Sequence, residues 1–176
     1  MQMVKKATLI GFILWLALLL FMPKTELYYT VEKILAKQDI KLNEKSIEEG
    51  LFSLNITGLT VFIKGIPLIT IEEVNVFTLL FYTSLSVEDL IVDKALHSQV
   101  PAFTKEAHAG HHLFNPMNLT LDANGSFGEI EGTVDLAQSN LHIDFVHTKD
   151  ISMIQHILTK NTKTNGDRGW IYEKSF

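Results

Sequence analysis

The clearest alternation of apolar and polar residues lies in Leu119–Leu136, which reads LTLDANGSFGEIEGTVDL. It runs on both sides of Asn124-Gly125, a dipeptide typical of the turn of a two-stranded hairpin. The alternation resumes in Leu141–Phe145. Three such segments predict an antiparallel meander with one apolar and one polar face.

The same period of two appears upstream, in Phe52–Ile63, and Gly65-Ile66-Pro67 reads as the following turn. The apolar run Val76–Tyr82 fits either a buried strand or a short helix, because periodicity does not separate the two at this length. We therefore predict a mainly β fold, built as a curved antiparallel sheet or an open sandwich.

Three further segments complete the prediction. His97–Pro116 contains two prolines and little periodicity, which indicates a long loop. Ile151–Leu158 is compatible with a short C-terminal helix, followed by a polar loop over Asn161–Arg168. The closing Trp170-Ile171-Tyr172 is predicted to add an edge strand.

The N-terminal run Ala7–Met22, ATLIGFILWLALLLFM, carries no charge and lies between Lys5-Lys6 and Pro23-Lys24. Sixteen helical residues span roughly 24 Å, and flanking residues with snorkelling lysines can extend this toward the ~30 Å hydrocarbon core. A cleaved signal peptide shares the basic start and apolar middle, but it needs small residues just before the cut. The absence of well-placed small residues near Phe21–Lys24 favours an uncleaved transmembrane signal anchor.

The basic residues before the apolar run place the N-terminus in the cytoplasm and export the remainder. We therefore assign residues 1–23 to a cytoplasmic N-terminus and transmembrane anchor, and residues 24–176 to a single exported β-rich domain.

A short amphipathic helix follows the anchor. Thr25 is positioned to cap it, and its apolar stripe combines Leu27, Val31, Ile34 and Leu35. The stripe can contact a membrane surface or a partner, or it can cover one end of the sheet. Mixed charges on the polar face favour the second role.

Composition excludes several functional classes. The chain has no cysteine, which rules out disulfides, thiol nucleophiles and thiolate metal sites. Its net charge is −5 and its 15 basic residues are scattered, so we expect no nucleic-acid partner.

His108, His111 and His112, with Glu106 nearby, are the candidate metal ligands of the chain. Catalytic zinc motifs hold their ligands at fixed spacing on a helix, whereas Ala109-Gly110 indicates a loop, and a solvated polar loop is the favoured interpretation. No nucleophile elbow or phosphate-binding loop is present. We expect no enzymatic activity and no cofactor.

Asn124-Gly-Ser126 matches the glycosylation tripeptide, with Asp122 two residues earlier. Asn124 is therefore a candidate modification site, although an Asn-Gly hairpin turn explains the same residues.

Three sequence features together resemble the exported part of the type II secretion system protein N family. They are the apolar strand Leu51–Lys64, the turn Gly65–Leu68, and the glycine-spaced strand pair Gly125–Leu136. The resemblance covers roughly 23–146, and members of that family are usually longer. The family is in turn similar to AsmA-like and lipopolysaccharide-export bridging proteins, in which a curved sheet carries an apolar groove outward from the inner membrane.

The resemblance implies a non-enzymatic accessory or assembly subunit of a bacterial envelope transport or secretion system. It would cross the inner membrane once, with the bulk of the chain in the periplasm, and its partners would be the inner membrane and envelope transport proteins. The alternative function is a lipid-binding or lipid-transfer module.

In the lipid-binding alternative, one apolar face forms the groove. The candidate groove residues are Phe52, Leu54, Ile56, Ile130, Val134, Leu136, Ile143 and Phe145. The same residues would equally form the closed core of a β-sandwich, and both interpretations stay open at this point.

Overall fold

The computed structural model describes residues 2–20, 23–79, 81–97, 100–148, 162–164 and 170–176. Two helices come first, α1 (Gln2–Leu20) and α2 (Lys24–Ala36). A short 3-10 helix, Lys94–Leu96, follows the fifth strand. The strands are β1 (Ile40–Asn43), β2 (Ser46–Glu49), β3 (Ser53–Ile63), β4 (Ile66–Leu79), β5 (Tyr82–Val92), β6 (Phe103–His112), β7 (Asn118–Gly125), β8 (Gly128–Asp135), β9 (Asn140–Thr148), β10 (Thr162–Thr164) and β11 (Trp170–Ser175).

The strands form one antiparallel sheet. Strands β3 to β9 pair in chain order, β1 and β2 both pair with β3, and β11 lies between β9 and β10. The prediction of a mainly β, antiparallel fold is confirmed. The sheet is open and uncurled, so the predicted curved sheet or sandwich is wrong. All described strands belong to a single hydrogen-bonded layer, whose edges at β1–β2 and β10 are not paired with each other.

Helix α1 contains most of the predicted apolar run and is helical through Leu20. Among the described residues, neither helix is long and apolar enough to cross a membrane. The predicted transmembrane assignment of Ala7–Met22 is therefore not supported by the structure.

Several boundary predictions are corrected. The segment His97–Pro116, predicted as a loop, contains strand β6. Its alternation is weak because Ala107 and Ala109 occupy the apolar positions and contribute little hydrophobicity. Val76–Tyr82 is not a helix: β4 continues to Leu79 and β5 begins at Tyr82.

The predictions for the C-terminal segments have mixed outcomes. Trp170–Tyr172 does form a strand, but that strand is internal, because β10 pairs with its other side. β10 itself lies inside the predicted polar loop Asn161–Arg168. The predicted helix Ile151–Leu158 lies outside the described residues.

The β7–β8 hairpin turns two residues later than predicted. Asn124 and Gly125 are still paired, with Glu129 and Gly128, and the turn consists of Ser126 and Phe127. Gly128 takes the positive φ of 104° that closes the turn.

A line of irregular residues crosses four adjacent strands. Strand pairing skips Gly58 in β3, Glu72 in β4, Asp89 in β5 and Lys105 in β6. Gly58 and Asp89 have φ of 63° and 47°, in the left-handed region. The register is the same on both sides of the line from β3 to β6 and shifts only between β6 and β7. We call this line the pairing break.

The pairing break changes which residues of each strand face the core. Before it, the even-numbered Leu54 and Ile56 are buried; after it, the odd-numbered Leu59 is buried in the same cluster. In β4 the change runs from Ile71 to Val74. The break therefore keeps one face apolar along the full length of these long strands, although strict alternation would have reversed it.

The core lies where α2 covers this face. The ring of Tyr28 packs with buried residues of β3 and β4, and its hydroxyl donates to Glu44 Oε2 at 2.8 Å. Burial, followed by the hydrogen bond to Glu44, raises the pKa of Tyr28 well above its ordinary value. The phenol thus stays a neutral donor.

Replacement of Gly58 tests the pairing break. A Cβ there would have to adopt φ of 63° and would meet Lys45 Cδ at 2.5 Å. We expect Gly58→Ala to lower the free energy of unfolding by about 1–2 kcal/mol, the usual penalty of a left-handed conformation with a side chain. Denaturant titration followed by circular dichroism measures it. Thr57→Ala, one residue away, is the control and should change stability less; equal effects would contradict the role of the glycine.

Candidate functional site

Two rows of paired residues cross the sheet on its α2-covered face. Residues paired directly across antiparallel strands point to the same side, so the register assigns each row to one face. The first row, from β3 through β9 to β11, is Leu54, Val76, Leu85, Ala109, Leu121, Gly132, Ile143 and Tyr172.

The second row runs beside the first, across the same eight strands. It consists of Ile56, Val74, Val87, Ala107, Ala123, Ile130, Phe145 and Trp170. Neither row contains a charged residue, and their side-chain polar groups are the Tyr172 hydroxyl in the first row and the Trp170 indole N–H in the second. We call this surface the apolar face.

The opposite face is polar along the matching row. From β3 to β9 it presents Asn55, Asn75, Ser86, His108, Asp122, Glu131 and Asp144. Three carboxylates in adjacent register repel one another, and water must solvate them. The two faces therefore differ sharply in what they can contact.

Helix α2 forms a wall beside the apolar face. It packs against β1, β2 and β3, at one edge of the sheet. Between α2 and β3–β4 lies a cavity of about 400 Å³. Its lining is mostly aliphatic: Lys24, Leu27, Tyr28, Val31, Leu54, Ile56, Leu59, Val74, Val76 and Thr78.

The predicted stripe of α2 is only partly correct. The residue that enters the core is Tyr28, whereas Leu27, Val31 and Ile34 are about half exposed. Leu27 and Val31 line the cavity from the side instead. The helix therefore covers the β1–β3 edge of the sheet, which is the kind of role that its mixed charges favoured. Its apolar stripe borders the open part of the apolar face.

Glu49 of β2 fixes the start of α2. Its carboxylate accepts hydrogen bonds from the backbone N–H groups of Lys24 and Thr25, at 3.1 and 3.2 Å, and from the Thr25 hydroxyl. Thr25 was predicted as the cap, but the cap position is Pro23, which has no side-chain hydrogen bond. An anionic group from a neighbouring strand satisfies the helix N-terminus in its place.

Lys24 completes the attachment, since its Nζ donates to Gly50 O at 3.1 Å and lies 3.8 Å from Glu49 Oε1.

We call the end of the sheet where α2 begins the proximal end, and the other the distal end. Helix α1 ends at Leu20, four residues before Lys24, so the proximal end is also the end nearest to α1.

The structure brings most predicted groove residues together. Leu54 and Ile56 line the cavity, and Ile130, Ile143 and Phe145 belong to the two rows. Val134 is on the same face, paired with Leu119 and Leu141. The other two lie at the proximal end: the Phe52 carbonyl accepts from Thr78, and Leu136 is in a turn and 46 % exposed.

Sequence reasoning missed Ala107, Ala109, Trp170 and Tyr172, which extend the face across β6 and β11. The alanines gave too weak a signal. The two aromatic residues were predicted to lie in a strand, but the pairing of that strand with β9 was not predicted.

The three candidate histidines do not converge. His108 is on the polar face, with Nδ1 2.9 Å from Ser86 Oγ and Nε2 3.0 Å from Glu106 Oε1. His111, three residues later, is on the opposite face, and the His112 ring stacks 4.7 Å from Tyr82. Alternation along a strand separates them, and no group of three metal-ligating side chains occurs in the part of the chain described.

The polar face carries a shallow trough of about 560 Å³ over β7–β9, lined mainly by carboxylates and hydroxyls. At its rim, the hydrogen bond from His108 holds the pKa of Glu106 below its ordinary value. Asn124, the candidate glycosylation site, is exposed in this trough, on a strand and not in a turn. Its modification stays a prediction.

Comparisons of the chain with protein-family models, with curated proteins and with solved structures find no match. The resemblance to the type II secretion system protein N family stays a prediction.

The attachment of α2 through Glu49 makes a pH-dependent prediction. Hydrogen bonds from Thr25 and Lys24 lower the pKa of Glu49 below its ordinary value of 4.5. A lowered pKa stabilises the fold above the unfolded-state pKa, and this contribution disappears as the pH falls through the folded-state value. We expect Glu49→Gln to be less stable than the natural chain at about pH 6, with the difference disappearing once the pH falls below the folded-state pKa of Glu49.

Denaturant midpoints across this pH range provide the measurement. Glu48→Gln removes the same charge from the neighbouring position, and it should not reproduce the pH-dependent difference. A constant difference at all pH values would contradict an ionised cap.

Proposed function

We propose that this protein is a non-enzymatic, membrane-anchored module that binds the acyl chains of lipids along its apolar face. The observation that carries the proposal is the pair of apolar rows across eight strands. Acyl chains are the ligand chemistry that fits a long surface lacking charged groups, because burying apolar area is worth about 25 cal/mol per Å² and needs no directional contact.

The openness of the face favours a ligand over a closed core. Helix α2 covers β1–β3, and no second layer lies over β5–β9 among the described residues. A closed sandwich would bury both rows between two sheets. Here the cavity under α2 and the two rows lie on the same face, and of the row residues over β5–β9 only Phe145 is buried, at 4 % exposed.

Helix α1 supports membrane attachment. Leu9, Ile10, Phe12, Ile13 and Leu14 are each at least half exposed. At 100° per residue these positions cover an arc of about 200°, more than half of the helix surface, and an apolar surface of that width requires a protein core or lipid around it. The described chain does not enclose it, so we propose that α1 inserts into the bilayer.

The wider setting follows from the sequence features. The basic residues before the apolar run favour a cytoplasmic N-terminus and a periplasmic sheet in the bacterial inner membrane. The resemblance to type II secretion protein N and to AsmA-like proteins supports a role in an envelope transport system.

The open sheet favours a second candidate function, an accessory or assembly subunit of such a system. The described sheet ends in short strands at both edges, β1–β2 and the three-residue β10. Exposed edges can accept a strand from another protein. The subunit would then contact an envelope transport protein by strand addition, with or without lipid on its face.

Photocrosslinking tests the lipid proposal on the full chain. The protein is reconstituted in phosphatidylcholine vesicles that contain a phospholipid with a photoactivatable diazirine in its acyl chain, and labelled peptides are mapped by mass spectrometry. We expect label on α1 and on β7–β9. Val134→Asp should reduce the β7–β9 label about tenfold, since a carboxylate on the face costs at least about 1.4 kcal/mol of chain binding.

Thr133→Asp is the matched control, because it adds the same charge to the polar face one residue away and should leave the label unchanged. Label on α1 serves as the internal standard, and circular dichroism verifies the fold. Label confined to α1, or unchanged by Val134→Asp, would overturn the lipid proposal and leave the subunit role, to be pursued by protein crosslinking.

A further inference from the structure

The turns at the proximal end of the sheet have an unusual composition. Four of them, Gly50–Phe52, Leu79–Tyr82, Leu113–Met117 and Leu136–Ser139, contain no charged residue. Surface turns normally consist of glycine, proline, asparagine, aspartate and serine. The described residues of these turns instead present large apolar side chains to solvent.

The exposure of these side chains is high. Phe114 is 83 % exposed and Leu51 69 %, and Phe176, whose N–H donates to Ser139 O at the same end, is 67 % exposed. Phe81, Met117 and Leu136 add to the same edge. Exposed apolar residues concentrated at one end of a sheet in this way mark an interaction surface. We call them the proximal rim.

The distal end differs. Ile66, Ile91 and Val100 are exposed there, but charged residues accompany them in the turns, including Lys64 and the pair Asp93-Lys94. Both ends join strands of one sheet, so the asymmetry is not required by the topology. It indicates that the two ends meet different surroundings.

The proximal rim is continuous with α1. The ring of Trp15 in α1 lies 5.6 Å from that of Phe81, which in turn lies 5.0 Å from that of Phe114. Three aromatic rings thus connect the exposed apolar helix to the β6–β7 turn. Aromatic residues concentrate at the level of lipid headgroups, where their rings contact apolar and polar groups together.

We infer that the proximal rim docks on the lipid bilayer surface, with the strands directed away from the membrane. The inference rests on the proposed insertion of α1 but adds a second contact, made by the sheet itself. The rim would place the opening of the cavity under α2 at headgroup level, because Lys24 and Thr78 of the cavity lining also lie at the proximal end. An acyl chain could then pass between membrane and apolar face without crossing open water.

Site-directed spin labelling tests this arrangement directly, because the chain has no cysteine to remove. Single variants of the full chain, Phe114→Cys, Ile66→Cys and Leu9→Cys, are labelled with a nitroxide and reconstituted in phosphatidylcholine vesicles. Power-saturation spectroscopy compares collisions with oxygen, which concentrates in lipid, against collisions with a water-soluble nickel chelate. Ile66 at the distal end is the matched control, since it is also apolar and exposed.

We expect the labels at residues 114 and 9 to collide mainly with oxygen, and the label at residue 66 to collide mainly with the chelate. A label at 114 that is as accessible to the chelate as the label at 66, with residue 9 in lipid, would overturn rim docking and leave the anchor intact. A label at residue 9 in water would overturn both. Dipolar broadening at 114 that disappears on dilution with unlabelled chain would identify a second copy as the occupant and also overturn the inference.

Discussion

The packing of Tyr28 onto β3 and β4 is the contact on which the rest of the fold depends. It supplies the described sheet with a two-layered core, and Glu49 and Glu44 hold the helix in place at two points. Beyond β4 the strands are stabilised by their ladder hydrogen bonds and by neighbours within the layer. The edge of the sheet that α2 covers therefore has a packed core, and the remaining strands extend from it as a single layer. This arrangement suits a surface that must remain accessible.

Alternation in the sequence was sufficient to predict the meander β7–β9 and the strand β3, because each has strong apolar residues at every second position. It failed at β6, where alanines at 107 and 109 lower the contrast and Lys105 interrupts the period. The faces of β3–β5 were also harder to assign, since Gly58, Glu72 and Asp89 exchange the inner and outer positions midway. Such an exchange depends on backbone conformation, which residue type indicates only at the glycine.

The candidate groove residues were selected from local alternation alone, and six of the eight share the apolar face. Their common orientation across strands could not be deduced from the sequence, because it depends on the register of every intervening pair. Phe52 and Leu136 were included for a related reason: the alternation of apolar and polar residues in the sequence continues past the last hydrogen-bonded residue, whereas the strand does not. The histidines show the converse case. His108 and His111 are close in sequence, but alternation along β6 places them on opposite faces of the sheet.

The side chains of the two apolar rows vary in height across the sheet. Leucine, valine and isoleucine stand over β3–β5, while phenylalanine, tryptophan and tyrosine stand over β9 and β11, and the middle strands carry Ala107, Ala109, Ala123 and Gly132. Leu121 and Ile130 interrupt the small residues over β7 and β8, so the surface is lowest over β6. At Gly132 a Cβ would meet His142 O at 2.8 Å, so backbone spacing itself resists filling that position. The alanines already carry a Cβ, and single methyl additions there would change the depth of the hollow, and with it the width of the chain that the hollow accepts, in small steps.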